Sequence, residues 1–333
     1  MNTIERLFGW RHALDHPVSL GVTVSVGALL LLAPLLIALV NRLARPEERL
    51  RRELWQRYAS WLLIAPAVML PVLAGAAWTV LAVTALSLAC YAEYARATGL
   101  FREKLLSALV VGGILALNFA ALDHWYALFA ALVPLWAGLL VVAGILRDRP
   151  QGYIQRVALA LLGFMLFGAA LAHLSLFAND ANYRPMLLML LLCVQLNDVF
   201  AFCVGKTFGR RKLAPNTSPG KTLAGGLGAL LLTTLLAVAL GRLVFAGTAL
   251  ESWPLLVLMG VMISVLGQLG DLTLSSIKRD LGIKDMGALL PGHGGVLDRF
   301  NSVLLAAPAL FHLAHYLLPA VGHGQAARII TGG

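Results

Sequence analysis

Long apolar runs separated by short polar gaps dominate the chain. The ten runs lie near 18–40, 58–73, 74–93, 104–121, 125–146, 156–178, 185–205, 222–246, 253–274 and 302–320. A helix needs about twenty apolar residues to cross roughly 30 Å of hydrocarbon. The pattern therefore predicts an all-α fold, a polytopic integral membrane helix bundle with about ten transmembrane helices.

The second and third runs are the weakest of the ten. Pro66, Pro71 and Gly75 interrupt them, so 58–93 is compatible with two spans, one long kinked helix or a re-entrant hairpin. With two spans, every gap rich in Lys and Arg falls on one side of the membrane, as the positive-inside rule requires. We therefore expect ten spans, both termini outside, and the basic loops in the cytoplasm beneath the inner (cytoplasmic) membrane.

Composition agrees with a membrane protein, since 59% of the 333 residues are hydrophobic and only 13% are charged. The formal net charge of +10 could indicate nucleic-acid binding. The cations instead occupy the short gaps between apolar runs, where membrane topology places them, so we expect no nucleic-acid partner. Lone polar residues such as Asn118 and His173 are expected to form interhelical hydrogen bonds rather than to bind a ligand.

Polar groups become dense in the second half of the chain. Asp198 lies inside an apolar run, where an ionised carboxylate is costly without a partner, so it is a functional candidate. A basic, Gly-rich gap at 206–228 contains Ser218, Lys221 and Thr222 and leads into the next helix. Backbone N–H groups at such a helix start, beside a lysine and hydroxyls, are suited to hold phosphate. Taken by itself, this gap is better explained as a positive-inside loop that touches lipid headgroups.

The most specific pattern is a polar stripe near the end of the ninth run. Ser264, Gln268, Asp271, Ser275 and Lys278 recur at spacings of four and three, which places them on one face of a helix. The charged segment after it contains Arg279, Lys284, Asp285, His293, Gly294, Gly295, Asp298 and Arg299. Carboxylates suit a hard cation such as Mg²⁺, and the cations suit a polyphosphate. We therefore expect a metal and phosphate site here.

Residues 275–301, reading SSIKRDLGIKDMGALLPGHGGVLDRFN, resemble the signature of phosphatidate cytidylyltransferases, which are also called CDP-diacylglycerol synthases. Gly270-Asp271-Leu272 and Ser218-Pro219-Gly220-Lys221-Thr222 also match positions in that family. The resemblance covers about 195–302. It implies that CMP passes from CTP to phosphatidate, giving CDP-diacylglycerol and pyrophosphate in phospholipid biosynthesis.

The resemblance also implies roles for individual residues. Asp271 and Asp298 would bind Mg²⁺, and with Lys278 and Arg279 they would form the catalytic group. Substrate would be bound by Asp198, Ser218, Lys221, Thr222, Ser275, Lys284, Asp285, His293, Gly294, Gly295 and Arg299. The partners would be CTP, phosphatidate or a related anionic phospholipid, and membrane lipid, and the chain could act as a homodimer. The implied regions are transmembrane helices at 1–180, a transmembrane catalytic region at 181–320 and a short tail at 321–333.

Four positions depart from the usual family pattern. Gly220 and Ala224 stand where the family usually has Lys and Glu, Asn301 stands where the signature normally closes with Asp, and Phe202 stands where the family often has Tyr. These changes leave two alternatives open: a divergent paralogue with another phospholipid substrate, or a catalytically weakened protein that binds lipid or nucleotide. A transporter using Asp198 and Asp271 is a third alternative, which the absence of a visible internal repeat disfavours.

Overall fold

The computed structural model describes residues 3–43, 47–146, 148–180, 182–289, 294–318, 321 and 328–332. The α-helices are α1 (Thr3–Phe8), α2 (Pro17–Leu43), α3 (Glu48–Ala74), α4 (Ala76–Thr98), α5 (Lys104–Leu122), α6 (Tyr126–Ala143), α7 (Tyr153–Gly163), α8 (Leu171–Phe177), α9 (Tyr183–Phe208), α10 (Leu223–Val244), α11 (Trp253–Asp280), α12 (Leu297–Phe300) and α13 (Val303–Leu317). A π-helical turn, Phe164–Ala170, joins α7 to α8. One hairpin pairs β1 (Lys212–Ala214) with β2 (Ser218–Thr222).

Helix lengths confirm a polytopic all-α membrane bundle. Within the described residues, nine helices are long and apolar enough to cross a membrane: α2 to α6, the continuous Tyr153–Phe177 helix, and α9 to α11. The tenth predicted run forms α13, which is apolar but has only 15 residues, or about 22 Å of helix. It is therefore shorter than the other nine.

The weak region 58–93 forms two helices rather than one kinked helix. The break is at Gly75, whose φ of 144° is accessible to glycine and not to residues with a side chain. A Cβ there would also lie 2.3 Å from the carbonyl oxygen of Leu7. Pro66 and Pro71 lie inside α3 and do not end it.

Polar side chains inside the bundle join helices to one another. Ser175 on α8 donates a hydrogen bond to Asn118 on α5, and His173 lies 3.1 Å from His312 on α13 between their Nε2 atoms. These contacts confirm the predicted interhelical roles of Asn118 and His173. On α9, the Oδ1 atom of Asn197 accepts hydrogen bonds from Thr233 and Ser264, which ties α9 to both α10 and α11.

The glycines at the start of α10 allow α9 and α10 to approach closely. A Cβ on Gly225 would lie 2.5 Å from the carbonyl oxygen of Ala201, and one on Gly228 would lie 2.5 Å from the Val204 side chain. Their small size therefore serves helix packing. The gap before α10, predicted as a loop, contains the β1–β2 hairpin.

Candidate active site

The polar stripe predicted for α11 lies on one helix, as expected. Its first residues form hydrogen bonds between helices, and its later residues form ion pairs. Deep in the bundle, Ser264 donates to Asn197, and Gln268 donates to Ser264 at 3.2 Å and to the carbonyl oxygen of Gly226 at 3.3 Å. These two residues therefore connect α11 to α9 and α10. Towards the end of α11, Asp271 and Lys278 form ion pairs with residues from other elements.

Asp271 is the meeting point of three parts of the chain. Its Oδ2 atom lies 2.5 Å from the Nζ of Lys221 on β2, and its Oδ1 accepts a 2.5 Å hydrogen bond from the amide of Asn301. The Lys221 and Asp271 side chains are 19% and 20% exposed, so small ligands can reach both. A carboxylate and an ammonium group thus stand together at an accessible position.

Asp198 on α9 adds a second carboxylate to this group. The Ser302 hydroxyl donates a 3.0 Å hydrogen bond to Asp198 Oδ2. The Asp198 carboxylate also interacts electrostatically with Asp271, Lys221 and Arg299. The structure therefore brings together residues that are more than 100 positions apart, and we call Asp198, Lys221, Asp271, Asn301 and Ser302 the Asp271 cluster.

Asp298 lies in a separate and more enclosed setting. Its Oδ1 atom is 2.8 Å from Lys278 Nζ, and the two side chains are only 3% and 12% exposed. Its Oδ2 atom accepts hydrogen bonds from the backbone N–H groups of Met286 and Gly295, at 2.9 and 3.0 Å. Asp298 therefore holds two points of the segment between α11 and α12, Met286 and Gly295, and also holds Lys278.

Glu93 on α4 supports the same segment, and our interpretation of the sequence did not identify it. This buried carboxylate accepts hydrogen bonds of 2.9 Å from the backbone N–H groups of Val296 and Leu297. A Cβ on Gly295 would lie 2.4 Å from Glu93 Oε2, so the glycine makes the close approach possible. An acidic residue inside an apolar run was the available signal, because such residues usually have a specific partner.

The two arginines near the site are held differently: Arg279 by its side chain and Arg299 through its backbone carbonyl. The guanidinium group of Arg279 donates to the carbonyl oxygen of Thr217, before β2, and to that of Ile283, at 3.3 and 3.2 Å. Gln195 on α9 donates a 3.4 Å hydrogen bond to the carbonyl oxygen of Arg299. Arg279 thereby ties the hairpin to the end of α11, with its charge still at an exposed position.

The remaining predicted site residues take varied positions. Thr222 is buried, and its hydroxyl accepts a 3.1 Å hydrogen bond from the Gly225 N–H as the N-cap of α10. Ser218 is the first residue of β2, Ser275 is buried on α11, and Lys284 and Asp285 are exposed. Gly294 has a φ of 80°, in the left-handed region that favours glycine. His293 lies outside the described residues.

The donor set suits Mg²⁺ better than a softer metal ion, because the site offers carboxylate, hydroxyl and amide oxygens. No group of three or more His, Cys, Asp or Glu side chains among the described residues could hold a metal by itself. Mg²⁺ typically uses one or two carboxylates and completes its shell with water and substrate phosphates. The residues therefore fit a metal ion that binds together with a phosphate ligand.

Comparison with known proteins agrees with this chemistry. The chain is 33% identical over 298 residues to the uncharacterized protein YnbB of Escherichia coli (strain K12), which covers 87% of this chain and 96% of that protein. It is 38% identical over 157 residues to a phosphatidate cytidylyltransferase of Staphylococcus haemolyticus, and over 159 residues to one of Staphylococcus aureus (strain COL). These matches cover 47% of this chain and 56% of each enzyme.

A family model covers a larger part of the chain. The model of the Cytidylyltransferase family matches residues 55–317, a range that begins in α3 and ends with α13. It includes the Asp271 cluster, the Lys278–Asp298 ion pair and Glu93. The match extends over most of the membrane bundle, and we conclude that the chain belongs to the cytidylyltransferase family.

Proposed function

We propose that the protein is a phosphatidate cytidylyltransferase, a nucleotidyltransferase that moves CMP from CTP to phosphatidate in the inner membrane. The observation that carries the proposal is the pair of lysine–aspartate contacts, Lys221–Asp271 and Lys278–Asp298, at one end of α11. The family membership and the phosphatidate cytidylyltransferases of two Staphylococcus species support the same activity.

In the proposed reaction, an oxygen of the phosphatidate phosphate forms a bond to the α-phosphorus of CTP. The bond between that phosphorus and the oxygen bridging to the β-phosphate breaks, and pyrophosphate leaves with the bonding electrons. The attacking phosphate is already ionised at neutral pH, so no general base is needed. The task of the protein is to bring two anions together and to stabilise the charge on the leaving pyrophosphate.

The cationic side chains are suited to that task. Lys221 and Lys278 each hold an ammonium group against a carboxylate, and Lys221 is the more exposed of the two. Arg279 in the last turn of α11 and Arg299 on α12 add two guanidinium groups. We infer that these four residues bind the phosphate groups of CTP and phosphatidate, with Lys278 and Arg279 acting on the transferred group.

Asp271 and Asp298 would hold Mg²⁺, which when bound supplies positive charge to the nucleotide phosphates. The two carboxylates are not equivalent. Both oxygens of each carboxylate already have a donor, so a metal ion at either position needs a lysine to move away. The Asp271 side chain is 20% exposed and that of Asp298 only 3%, so a metal ion reaches Asp271 more readily. Asp198 on α9 would add a second negative charge beside Asp271 and so support the metal site. The charge distribution favours a site that faces the cytoplasm, where CTP is available.

A second candidate function is binding of lipid or nucleotide without turnover, or turnover of another phospholipid. The observation that favours it is the Asn301 amide, which occupies one oxygen of Asp271 where the family usually has a carboxylate.

Purified protein in detergent, given CTP, Mg²⁺ and phosphatidate, tests the main proposal through pyrophosphate release that requires all three. No release with phosphatidate or other phosphorylated lipids, in parallel with active Staphylococcus enzyme, would overturn it.

A further inference from the structure

A cavity of about 420 Å³ lies beside the segment that Glu93 and Asp298 hold. Helices α3, α4 and α9 form most of its wall, and Val296 and Phe300 close one end. The opposite end reaches Pro71 and Thr79, close to the break between α3 and α4. The cavity thus lies between membrane helices and reaches the proposed catalytic segment at one end.

The cavity wall offers nothing to a polar ligand. Thr79 is the one residue with a polar side chain among the described residues that line it. Its hydroxyl donates to the carbonyl oxygens of Pro71 and Gly75, at 3.2 and 3.0 Å, so it is already satisfied. A space walled by aliphatic and aromatic groups favours hydrocarbon and disfavours water or a charged headgroup.

The length of the cavity matches a lipid tail. On α4 its lining extends from Thr79 to Ala89, ten residues that rise by about 15 Å. That distance is half of the roughly 30 Å hydrocarbon thickness of a bilayer, which is the depth that one leaflet's acyl chains occupy. A single chain could therefore lie along α4 with its upper end at Val296.

The cavity also borders the segment that carries Asp298. Val296 lines it with its side chain while its backbone N–H donates to Glu93. Asp298 lies two residues further on, between Val296 and Phe300. A lipid whose tail fills this space would have its phosphate close to Asp298 and Lys278.

We propose that this cavity binds one acyl chain of the phospholipid substrate, an inference that rests on the proposed function. It assigns lipid recognition to the N-terminal half of the chain, through α3 and α4, and places phosphate chemistry in the C-terminal half. The occupant is the tail of an anionic phospholipid with a phosphate at the glycerol end. A tail of any bulk membrane lipid is the competing occupant.

Photolabelling separates the two occupants. The protein is reconstituted in nanodiscs with phosphatidate that carries a diazirine at the end of one palmitoyl chain, or with phosphatidylcholine carrying the same chain. We expect phosphatidate to label residues 63–72 and 79–89 several times more strongly than phosphatidylcholine does. Equal labelling by the two lipids, or labelling confined to other helices, would overturn the proposal.

Two tryptophan variants on α4 provide the matched control. Ala82 lines the cavity, so Ala82→Trp fills it, whereas the neighbouring Leu81 is 58% exposed on the outer surface of the bundle. We expect Ala82→Trp to remove most phosphatidate labelling and Leu81→Trp to keep it. Equal labelling of both variants would contradict the assignment, and their unfolding midpoints in detergent show that both are folded.

Turnover supplies an independent measurement. If the protein transfers CMP, Ala82→Trp should lower kcat/KM for dipalmitoyl phosphatidate roughly tenfold more than for dihexanoyl phosphatidate, whose short chains need less of the cavity. An equal loss for both lipids would overturn the assignment. Labelling needs no catalysis, so a protein that binds phosphatidate in the cavity without transferring CMP would refute the proposed function and leave the binding site standing.

Discussion

The amide of Asn301 donates a 2.5 Å hydrogen bond to Asp271. The family signature that this chain resembles usually has an Asp at the position of Asn301. The Oδ1 atom of Asn301 accepts from the Ser302 N–H at 2.8 Å, so both ends of the amide are used. Asn301 is buried, and an Asp in its place would put two carboxylates in direct contact. Asn in place of Asp at position 301 therefore changes the charge beside Asp271 more than it changes the position of the Asp271 side chain.

This contact leads to a prediction about Mg²⁺. Without divalent cations, Asn301→Asp should be less stable than wild type, because it loses a hydrogen bond to a charged group worth about 1.5–3 kcal/mol and gains like-charge repulsion. With Mg²⁺ the added carboxylate becomes a metal ligand, so the difference in unfolding midpoint should shrink. Thermal unfolding in detergent, with and without Mg²⁺, measures both values.

Asn301→Ala is the control for this prediction, since it removes the hydrogen bond without adding a charge. Its loss of stability should respond to Mg²⁺ no more than that of wild type. If Asn301→Asp is as stable as wild type in the absence of divalent cations, the Asn301 amide does not stabilise the Asp271 carboxylate.

The buried Lys278–Asp298 ion pair should matter for folding as well as for activity. Lys278→Met leaves the Asp298 carboxylate buried without its cation, and removal of one partner of a buried pair typically costs about 3–5 kcal/mol. The free energy of unfolding in mixed SDS micelles measures this cost. Lys284→Met, at an exposed lysine nearby, should change it by less than about 1 kcal/mol. Similar losses for the two variants would count against the structural role of the pair.

Glu93 should control the order of the segment that carries Asp298. Glu93→Gln replaces one acceptor oxygen by an NH₂ group, which cannot accept the N–H of Val296 or Leu297. We expect faster amide hydrogen exchange at these two residues and a lower kcat. Glu53→Gln, on the exposed part of α3, should leave the exchange rates unchanged. Unchanged exchange in Glu93→Gln would show that the carboxylate does not hold the segment.

Thr222 has two proposed roles that a pair of variants can separate. Its hydroxyl caps α10, so Thr222→Ala should cost about 1 kcal/mol of stability while Thr222→Ser should cost little. If the hydroxyl only caps the helix, KM for CTP should be the same in Thr222→Ala, Thr222→Ser and wild type. A KM that is raised in Thr222→Ala and normal in Thr222→Ser would indicate direct contact between the hydroxyl and substrate.

The apolar runs of the sequence predicted the helices well, because hydrocarbon thickness imposes a length that is readable from the residues alone. The same reasoning found the stripe on α11, since helical spacing is local. It could not find the contact of Glu93 with Val296, 203 positions later, because that partner depends on how α4 packs. The sequence also led us to name Asp271 and Asp298 together as metal ligands. In the structure, Asp271 pairs with Lys221 and Asp298 pairs with Lys278.

The most direct test of the account is transfer of radiolabelled CMP from CTP to phosphatidate by wild type and by Asp271→Asn. Both are assayed in the same detergent with Mg²⁺, and equal unfolding midpoints confirm that the variant is folded. We predict label in CDP-diacylglycerol for wild type and a loss on the order of 100-fold for Asp271→Asn. Undiminished transfer by Asp271→Asn, or no transfer by wild type, would contradict the proposed active site.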